Sequence, residues 1–391
     1  MTATVAESPA AYVKTDPSER AYWVAWSQIE GIGPVLQKRL YSAFGSLAAA
    51  WGAGADQLLG VDGIGLLLAD QVVRLRSHLS PAQILAQFEA GSASFWTPAD
   101  PEYPTLLFEI PDPPPVLYYR GPLRLNRLQP QPLTVGIVGT RHPSDYGRRW
   151  TERLTCQLAQ QGALVISGMA RGVDAIAHKS CVAQTAPTLA VLGTGVDIAY
   201  PASNQGLYQD IATTGLLLSE YADGTPPDRT HFPRRNRIIA GLSQAIIVTE
   251  APARSGALIT AHLANDYGRE VYALPGSLDN PRSQGCLNLI EQGCQPIVSE
   301  AKLLTALGGL PVPDRSPLAD ASATHASSLP LPTDLAPELN QLLQTLSDEA
   351  IGLDTLAQQT NQDTSRLLSN LMQLELQGLI VQLPGMQYRR A

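Results

Sequence analysis

The sequence predicts an α/β protein built around a doubly wound, mostly parallel sheet. Between residue 134 and about residue 305, short apolar runs alternate with helical patterns. Nearly continuous apolar strands joined by crossover helices are typical of a parallel sheet that is covered on both faces. The length of 391 residues also exceeds that of one typical core, so we expect further domains beside this block.

The central block contains seven predicted strands, at 134–140, 163–168, 188–193, 216–220, 245–250, 270–276 and 295–299. Helical patterns such as DYGRRWTERLTCQLAQQG and SGALITAHLANDYG lie between them. Residues 95–133, rich in proline, predict an irregular strap with one strand, VLYY, so the predicted central domain spans 95–306. Ligands of such sheets bind beyond the carboxyl ends of the strands, and we expect a site there.

Residues 20–92 have a helical pattern that contains a short internal repeat. IEGIGPVLQKRL at 29–40 and VDGIGLLLADQV at 61–72 both place a Gly-Ile-Gly turn before an amphipathic helix. This spacing predicts a helix-hairpin-helix (SAM-like) domain, whose glycines let backbone amides approach a phosphate. Leucines at 66–68 follow the second turn in place of basic side chains, so DNA contact and a packing role both remain open.

The C-terminal part of the chain divides into a linker and a small domain. Residues 308–333 are rich in Pro, Ala and Ser, a composition that predicts a disordered linker. Residues 334–391 show three short helical patterns and a terminal hairpin, LIVQ-LPGM-QYRR, which together predict a winged-helix domain. Residues 306–391 hold four basic and nine acidic side chains. A regulator that reads duplex DNA would need more basic residues, so we expect a role in protein contact or packing.

The net charge of −8 arises entirely outside the central block. Residues 134–305 hold 14 Lys or Arg and 14 Asp or Glu, whereas the rest of the chain holds 13 basic and 21 acidic residues. The central block is therefore the best place for a site that binds an anion.

The cysteines and the chain start predict a cytoplasmic protein with no metal site and no membrane contact. Four cysteines fall outside any C-x-x-C spacing and read as reduced core thiols: Cys156, Cys181, Cys286 and Cys294. The opening MTATVAESPA lacks the basic and apolar regions of a secretion signal. No apolar run approaches the length of a membrane span.

Residues 229–237, RTHFPRRNR, contain four arginines and no acid. The following IIAGLSQAIIVTEA predicts the rest of a helix and a buried strand. The arginines therefore lie at a loop-to-helix start, where backbone N–H groups also face outward. This arrangement predicts a ligand with a phosphate chain. The alternative is a solvated loop whose charges support the helix.

Several predicted strands end in small residues that would expose amides at helix N-termini and form an anion cradle. Those after the second and fifth strands are Ser167, Gly168, Ser255 and Gly256. The arginines predicted on the same rim are Arg141, Arg171 and Arg254. Phe232 offers an apolar face on which an unpaired base could stack, for about 1–3 kcal/mol, although core packing is the alternative. Because duplex bases are unavailable for stacking, the combination favours single-stranded nucleic acid.

Several enzyme classes are disfavoured by the motifs. The first turn, GTRHPS, departs from G-x-G-x-x-G, and no acid ends the second strand, which disfavours a nicotinamide dinucleotide. The chain has no G-x-x-x-x-G-K-[ST] and no G-x-S-x-G elbow. Asp174 and His178 would share one helix face, either as a catalytic pair or as a polar network. We therefore predict phosphate binding with no catalytic residues and no cofactor.

Seven motifs, in this order, resemble the DNA-processing protein DprA (Smf) family: GIVGTR, SGMARGVDAIAH, VLGTGVDIAYPASNQGLY, SEY, FPRRNRIIAGLS, SGALITAHLA and LPGS. The strap, the N-terminal hairpins and the C-terminal winged helix also resemble features of this family. The resemblance implies an extended Rossmann-like domain that binds single-stranded DNA in the cytoplasm during natural transformation. It further implies protection of incoming DNA, loading of the RecA recombinase, and a homodimer formed through the Rossmann-like domain, with no established catalytic activity.

The resemblance also assigns residues. The family's Gly-x-Arg arginine falls on Arg141, its basic residue before the aromatic on Arg229, and the aromatic on Phe232. The Arg-Asn-Arg core falls on Arg235, Asn236 and Arg237. With the rim residues, the predicted DNA-binding set is Arg141, Ser167, Gly168, Arg171, Arg229, Phe232, Arg235, Asn236, Arg237, Arg254, Ser255 and Gly256.

An enzymatic alternative is a Rossmann-like nucleotide phosphoribohydrolase, a class that shares this type of sheet. Glu250, at the end of a predicted strand and near Arg254, would then be the acid. The P-G-G-x-G-T pattern of those enzymes is absent, since this chain reads EAPARSGALIT.

Overall fold

A computed structural model describes residues 18–128 and 131–309 and, toward the C-terminus, residues 339, 342, 345, 351–352, 356, 360, 364–376, 380–383 and 387–390. The described residues form two compact units, one that ends at residue 309 and one that begins at residue 339. Residues 310–333 of the predicted linker lie outside the described residues.

Six helices open the first unit: α1 Glu19–Ser27, α2 Pro34–Phe44, α3 Leu47–Gly52, α4 Ala55–Leu58, α5 Leu66–Arg76 and α6 Pro81–Glu89. The two Gly-Ile-Gly turns directly precede α2 and α5, as the repeat predicted. Gly31 and Gly63 adopt φ values of 88° and 92° in these turns, which glycine tolerates because it has no Cβ.

The two hairpins pack on each other reciprocally. A Cβ at Gly31 would lie 2.9 Å from Leu68 of α5, and a Cβ at Gly63 would lie 2.9 Å from Leu36 of α2. Leu68 is therefore a packing residue. Leu66 and Leu67, by contrast, are 70% and 88% exposed.

Seven parallel strands follow at the predicted positions: β3 Thr134–Val138, β4 Leu164–Ser167, β5 Thr188–Val191, β6 Leu216–Ser219, β7 Ala245–Val248, β8 Glu270–Ala273 and β9 Gln295–Pro296. Two earlier strands, β1 Ser94–Trp96 and β2 Leu117–Arg120, extend one edge, where β2 pairs antiparallel with β6 and β1 pairs antiparallel with β2. The order across the sheet is β1-β2-β6-β5-β4-β3-β7-β8-β9. The strand β2 is the predicted VLYY strand, whereas β1 was not predicted.

Eight helices accompany the sheet: α7 Thr105–Glu109, α8 Asp145–Gln160, α9 Val173–Ala183, α10 Gln205–Thr214, α11 His231–Leu242, α12 Gly256–Asp266, α13 Gln284–Glu291 and α14 Glu300–Gly308. Alternate residues of β3 enter different cores. Val135 and Ile137 pack in the core that contains Leu154 of α8, and Val138 packs in the core that contains Ile238 of α11. Burial on both faces explains why these strands are almost continuously apolar.

The order of the strands reverses at β3. The chain first adds β4, β5 and β6 on one side of β3 and then places β7 on the other side. The loops after β3, β4 and β7 therefore meet beyond the carboxyl ends of these strands, where doubly wound sheets bind ligands. The Thr140 N–H donates to the Glu250 carbonyl at 2.7 Å, and the Val173 N–H donates to the Thr140 carbonyl at 3.2 Å. These bonds join the three loops.

The second unit contains a three-stranded sheet, in the order β10-β12-β11, and one long helix. Their bounds are β10 Ile351–Gly352, α15 Thr364–Leu376, β11 Ile380–Leu383 and β12 Gln387–Arg390. The antiparallel pair β11 and β12 is the predicted terminal hairpin. Leucines of α15 share a small core with Leu339, Leu342 and Leu356, which are helical residues in the regions of the two earlier predicted helices. The winged-helix prediction is confirmed.

The junction of the loops after β3 and β4 depends on Gly172. Its φ is 79°, and an added Cβ would lie 2.3 Å from the Thr140 carbonyl oxygen. We predict that Gly172→Ala lowers the free energy of unfolding by more than about 2 kcal/mol, because a strained φ and a backbone clash act together. Urea unfolding followed by tryptophan fluorescence measures this loss, since all five tryptophans lie in the first unit.

Gly162→Ala is the matched control. Gly162 has a φ of 76°, but nothing lies within 4 Å of its added Cβ. Only the conformational cost of about 1 kcal/mol is expected there. Equal losses in the two variants would contradict the role of the Thr140 contact.

Candidate nucleic-acid interface

A groove of two adjoining lobes lies over the ends of β3, β4 and β7. The first lobe, of about 670 Å³, is lined in part by Arg141, Tyr200, Arg229, Phe232, Arg235, Asn236, Arg254, Ser255 and Gly256. The second lobe, of about 440 Å³, is lined in part by Arg141, His142, Gly168, Arg171, Tyr200, Phe232 and Arg235. The groove brings together ten of the twelve predicted residues, all except Ser167 and Arg237.

The groove is cationic. Arg141, Arg229 and Arg254 line the first lobe with exposed side chains, and Arg171 is exposed in the second lobe. The carboxylate that lines the groove belongs to Asp174, and its Oδ2 accepts from the Gly168 and Ala170 N–H groups at 3.2 and 3.3 Å. This carboxyl group is thus held by backbone N–H groups, and burial raises its pKa above the ordinary value. The exposed guanidinium groups are positioned to meet an anion.

Two aromatic rings form part of the groove wall. Phe232 stacks on Tyr200 with ring centroids 5.3 Å apart and an interplanar angle of 26°. The Arg141 guanidinium carbon lies 5.9 Å from the Phe232 ring centroid. Sequence reasoning missed Tyr200, although its place in a loop just after the third predicted strand, in GTGVDIAYPA, was the available signal.

The start of α12 contributes to the groove and is tied to α11. Ser255 caps α12, with its Oγ accepting from the Ala257 N–H at 3.3 Å. Asn236 donates from Nδ2 to the Gly256 carbonyl at 3.2 Å. Asn236 therefore fixes the spacing of the two helices.

Arg235 forms the floor of the groove. Its Nη1 donates to the Gly168 carbonyl at 2.7 Å and also to the Val191 carbonyl. Burial lowers the pKa of the guanidinium to about 10, so it stays charged at pH 7. The prediction that Arg235 pairs directly with a phosphate needs correction, because this group is buried and bound to the ends of β4 and β5.

Arg237 was predicted to bind phosphate and instead binds within the protein. Its Nη2 lies 2.6 Å from Glu220 Oε2, its Nε lies 3.2 Å from Asp112 Oδ2, and Nη1 donates to the Asp112 carbonyl at 2.7 Å. The side chain is only 5% exposed. Arg237 therefore attaches α11 to the strap, and it does not reach the groove.

Ser167 and Gly168 also differ from the prediction. Ser167 is fully buried, and its Oγ donates to the Ile137 carbonyl at 2.6 Å. The Gly168 N–H donates to Asp174, so this amide is occupied. A Cβ at Gly168 would lie 2.6 Å from the Arg235 guanidinium. Gly168 thus leaves room for Arg235, and neither residue offers a free donor to a phosphate.

The three candidate acid–base groups, His178, Asp174 and Glu250, are engaged in hydrogen bonds within the protein. His178 contacts Thr188 Oγ1 at 2.8 Å through Nδ1, and burial lowers the pKa of His178 to about 3. Asp174 accepts instead from the Gly168 and Ala170 N–H groups. These contacts fit the polar-network alternative better than a catalytic pair of Asp174 and His178. Glu250 is buried, and its carboxylate accepts from the Ser144 N–H at 2.7 Å, the Ser144 Oγ at 2.6 Å and Asn280 Nδ2 at 3.1 Å.

A sequence model of the DNA recombination-mediator protein A family matches residues 94–308, which is more than half of the chain. The chain belongs to this family. A second model, of the DprA winged helix domain, matches residues 326–386. The family match spans the sheet and every loop that lines the groove.

Individual relatives support the same family assignment. The chain is 44% identical to Protein Smf of Synechocystis over 394 residues, which cover 95% of this chain and 99% of that protein. It is 41% identical over 202 residues to DNA processing protein DprA of Streptococcus pneumoniae, covering 52% of this chain and 70% of that protein.

Solved structures of family members support the same assignment. The structure of DNA processing protein A from Streptococcus pneumoniae has a TM-score of 0.61 and 32% identity, covering 74% of this chain and 97% of that one. A structure of DNA processing protein A from Helicobacter pylori, described as revealing a unique single-stranded DNA binding mode, has a TM-score of 0.50 and 33% identity. The match covers 56% of this chain and 96% of that one.

Within the described ranges, no three His, Cys, Asp or Glu side chains lie together as a metal site would require. Across those same residues, no helix combines the length and apolarity needed to cross a membrane.

Arg237 and Arg141 should respond differently to substitution. We predict that Arg237→Ala lowers the free energy of unfolding by about 3–5 kcal/mol, because it leaves the Glu220 side chain, which is only 8% exposed, without its close partner. Arg141→Ala should change stability by no more than about 0.5 kcal/mol, since that side chain is exposed. Urea unfolding of both variants measures these changes in the free energy of unfolding. An Arg237→Ala protein of normal stability would contradict the structural role.

The buried imidazole predicts a pH dependence. The folded-state pKa of His178 is about 3, whereas the ordinary value is about 6.5. Between these values only the unfolded chain binds the proton, so stability is lost as pH falls below 6.5. From pH 7.5 to pH 5.5, wild type should lose about 1.4 kcal/mol more than His178→Asn. Identical losses in urea unfolding at the two pH values would show that His178 is protonated in the folded protein.

Proposed function

We propose that this protein binds single-stranded DNA along the two-lobed groove and does not cut it. The observation that carries the proposal is the convergence of exposed guanidinium groups, the start of α12 and two aromatic rings in one groove. Guanidinium groups and helix N-termini bind phosphates, and aromatic rings stack on bases whatever the sequence. The single-stranded DNA binding mode described for the Helicobacter pylori protein supports the same ligand.

Single strands are favoured over duplex because stacking on the aromatic part of the groove wall needs an unpaired base. Tyr200 and Phe232 line the same cavities as Arg141, so phosphate contact and stacking would occur on one strand at one place. A duplex would present its phosphates but keep its bases stacked on each other.

The groove supports binding without cleavage because its acidic groups are already engaged. Asp174 accepts two backbone N–H bonds, and the Glu250 carboxylate, the acid of the alternative phosphoribohydrolase, accepts three bonds away from the groove lining. A general acid or base must reach the reacting group through a hydrogen bond. These contacts favour the non-catalytic reading.

The finer functional assignments rest on family membership. We propose that the protein acts in the cytoplasm in natural transformation, where it protects incoming DNA and helps to load the RecA recombinase. We also propose a homodimer formed through the Rossmann-like domain. The relatives named DNA processing protein support a role in DNA processing, and the acidic winged helix is proposed to serve protein contact or packing.

Binding of labelled oligo-dT, followed by fluorescence anisotropy at several salt concentrations, tests the groove. We predict a strong preference for the single strand over a duplex competitor at every salt concentration, with the oligonucleotide recovered intact. Arg141→Ala and Arg229→Ala should each lower the affinity. Each should also flatten the slope of log affinity against log salt by about 0.7, the value for one lost phosphate contact on a single strand.

Lys179→Ala is the matched control, because it removes one positive charge from an exposed position on α9 that lines neither lobe. Its affinity and salt slope should stay close to wild type. If Arg141→Ala, Arg229→Ala and Lys179→Ala all behave alike, the groove is not the binding site.

A further inference from the structure

The stacked rings mark the boundary between the two lobes of the groove. Tyr200 and Phe232 line both lobes, as do Arg141 and Arg235. A strand that occupies both lobes must therefore pass the ring pair. The phosphate-binding side chains differ on each side, with Arg229 and Arg254 in the first lobe and Arg171 in the second.

Phe232 is already surrounded by protein groups. Tyr200 stacks on it, the Arg141 guanidinium lies over its ring, and an added Cβ at Gly193 would lie 2.8 Å from its Cδ1. The start of α11 is held in the same place by His231, whose Nδ1 lies 3.2 Å from the Gly193 carbonyl. The Phe232 ring is therefore half-buried, although it still lines both lobes.

Tyr200, by contrast, keeps 39% of its surface exposed and faces the cavity of both lobes. The loop that carries it is fastened just beyond the ring. Asn204 donates from Nδ2 to the Met169 carbonyl at 2.9 Å, and Arg171 donates from Nε to Ser203 Oγ at 3.2 Å. An exposed ring on a fixed loop and backed by a second ring is organised before a ligand arrives, which reduces the entropy lost on binding.

We propose that Tyr200 is the residue on which a base of the bound strand stacks, and that Phe232 is a positioning residue that holds the Tyr200 ring. The inference rests on the proposed single-strand binding and assigns its stacking surface. The ring pair separates two nucleotide subsites, so that phosphates contact arginines in each lobe while the base between them lies on Tyr200. Stacking on an aromatic ring accepts any base, which suits a protein that binds strands of any sequence.

The test compares two probes of equal length on the full chain: oligo-dT, and a strand of abasic residues that keeps the phosphates but has no bases. Tyr200→Leu should weaken oligo-dT binding about tenfold, a loss within the range for one stacked base, with an unchanged salt slope. The same variant should bind the abasic strand as wild type does. Tyr200→Phe, which keeps a ring, should restore oligo-dT binding.

A second readout reports the stack directly. A strand that carries 2-aminopurine should lose fluorescence on binding to wild type and to Tyr200→Phe, and it should lose less on binding to Tyr200→Leu. Phe232→Leu should reduce the quenching as well, because the Tyr200 ring loses its support.

The outcomes separate this inference from the proposed function. If wild type binds oligo-dT but Tyr200→Leu binds it equally well, the stacking assignment is overturned while the groove stands. Equal weakening of Tyr200→Leu on both probes would give Tyr200 a packing role and also overturn the assignment. If wild type binds neither probe, the proposed function fails and this inference fails with it.

Discussion

The groove depends on one buried contact, that between the Arg235 guanidinium and the carbonyl groups at the ends of β4 and β5. A buried charge is costly unless hydrogen bonds and an opposite charge offset the lost hydration. Here the Gly168 and Val191 carbonyls accept from Nη1, and Asp174 supplies the attraction. Gly168 is required because any Cβ would occupy the space of the guanidinium. With α11 fixed in this way, Phe232 and Arg229 are brought to the groove.

The arginines of residues 229–237 form a cluster in sequence but have different roles in space. Arg229 precedes α11 and is exposed in the groove, while Arg235 forms its floor. Arg237 is buried against Glu220 and Asp112, and the exposed Arg234 places its Nε 3.5 Å from Glu220 Oε2. A helix turns about 100° per residue, so neighbouring side chains point in different directions. Fewer guanidinium groups than the sequence indicated are therefore free to meet a phosphate.

In the proposed function, the groove attracts phosphates and stacks bases, and the carboxylates in and near it are engaged by protein groups. Exposed arginines supply a positive field that acts on any phosphate, and this field weakens with salt. The proposed stacking on the exposed Tyr200 ring needs an unpaired base, which would add a preference for single strands without a preference for sequence. The buried carboxylates serve other purposes: Asp174 holds the loop after β4, and Glu250 joins the start of α8 to the loop that contains Asn280. These properties together support the proposed binding of single-stranded DNA.

The sequence by itself determined the fold class, the seven parallel strands, the helical hairpins and the winged helix, because local apolar periodicity follows from which face is buried. The motifs around Arg141 and residues 229–237 also located the groove at the carboxyl edge of the sheet. Only the tertiary structure decided what each polar side chain contacts. Arg237 binds Asp112, which is 125 residues away. Ser167 donates from Oγ to the Ile137 carbonyl, and Tyr200 stacks on Phe232. Such pairings depend on residues that are distant in sequence, and no local pattern records them.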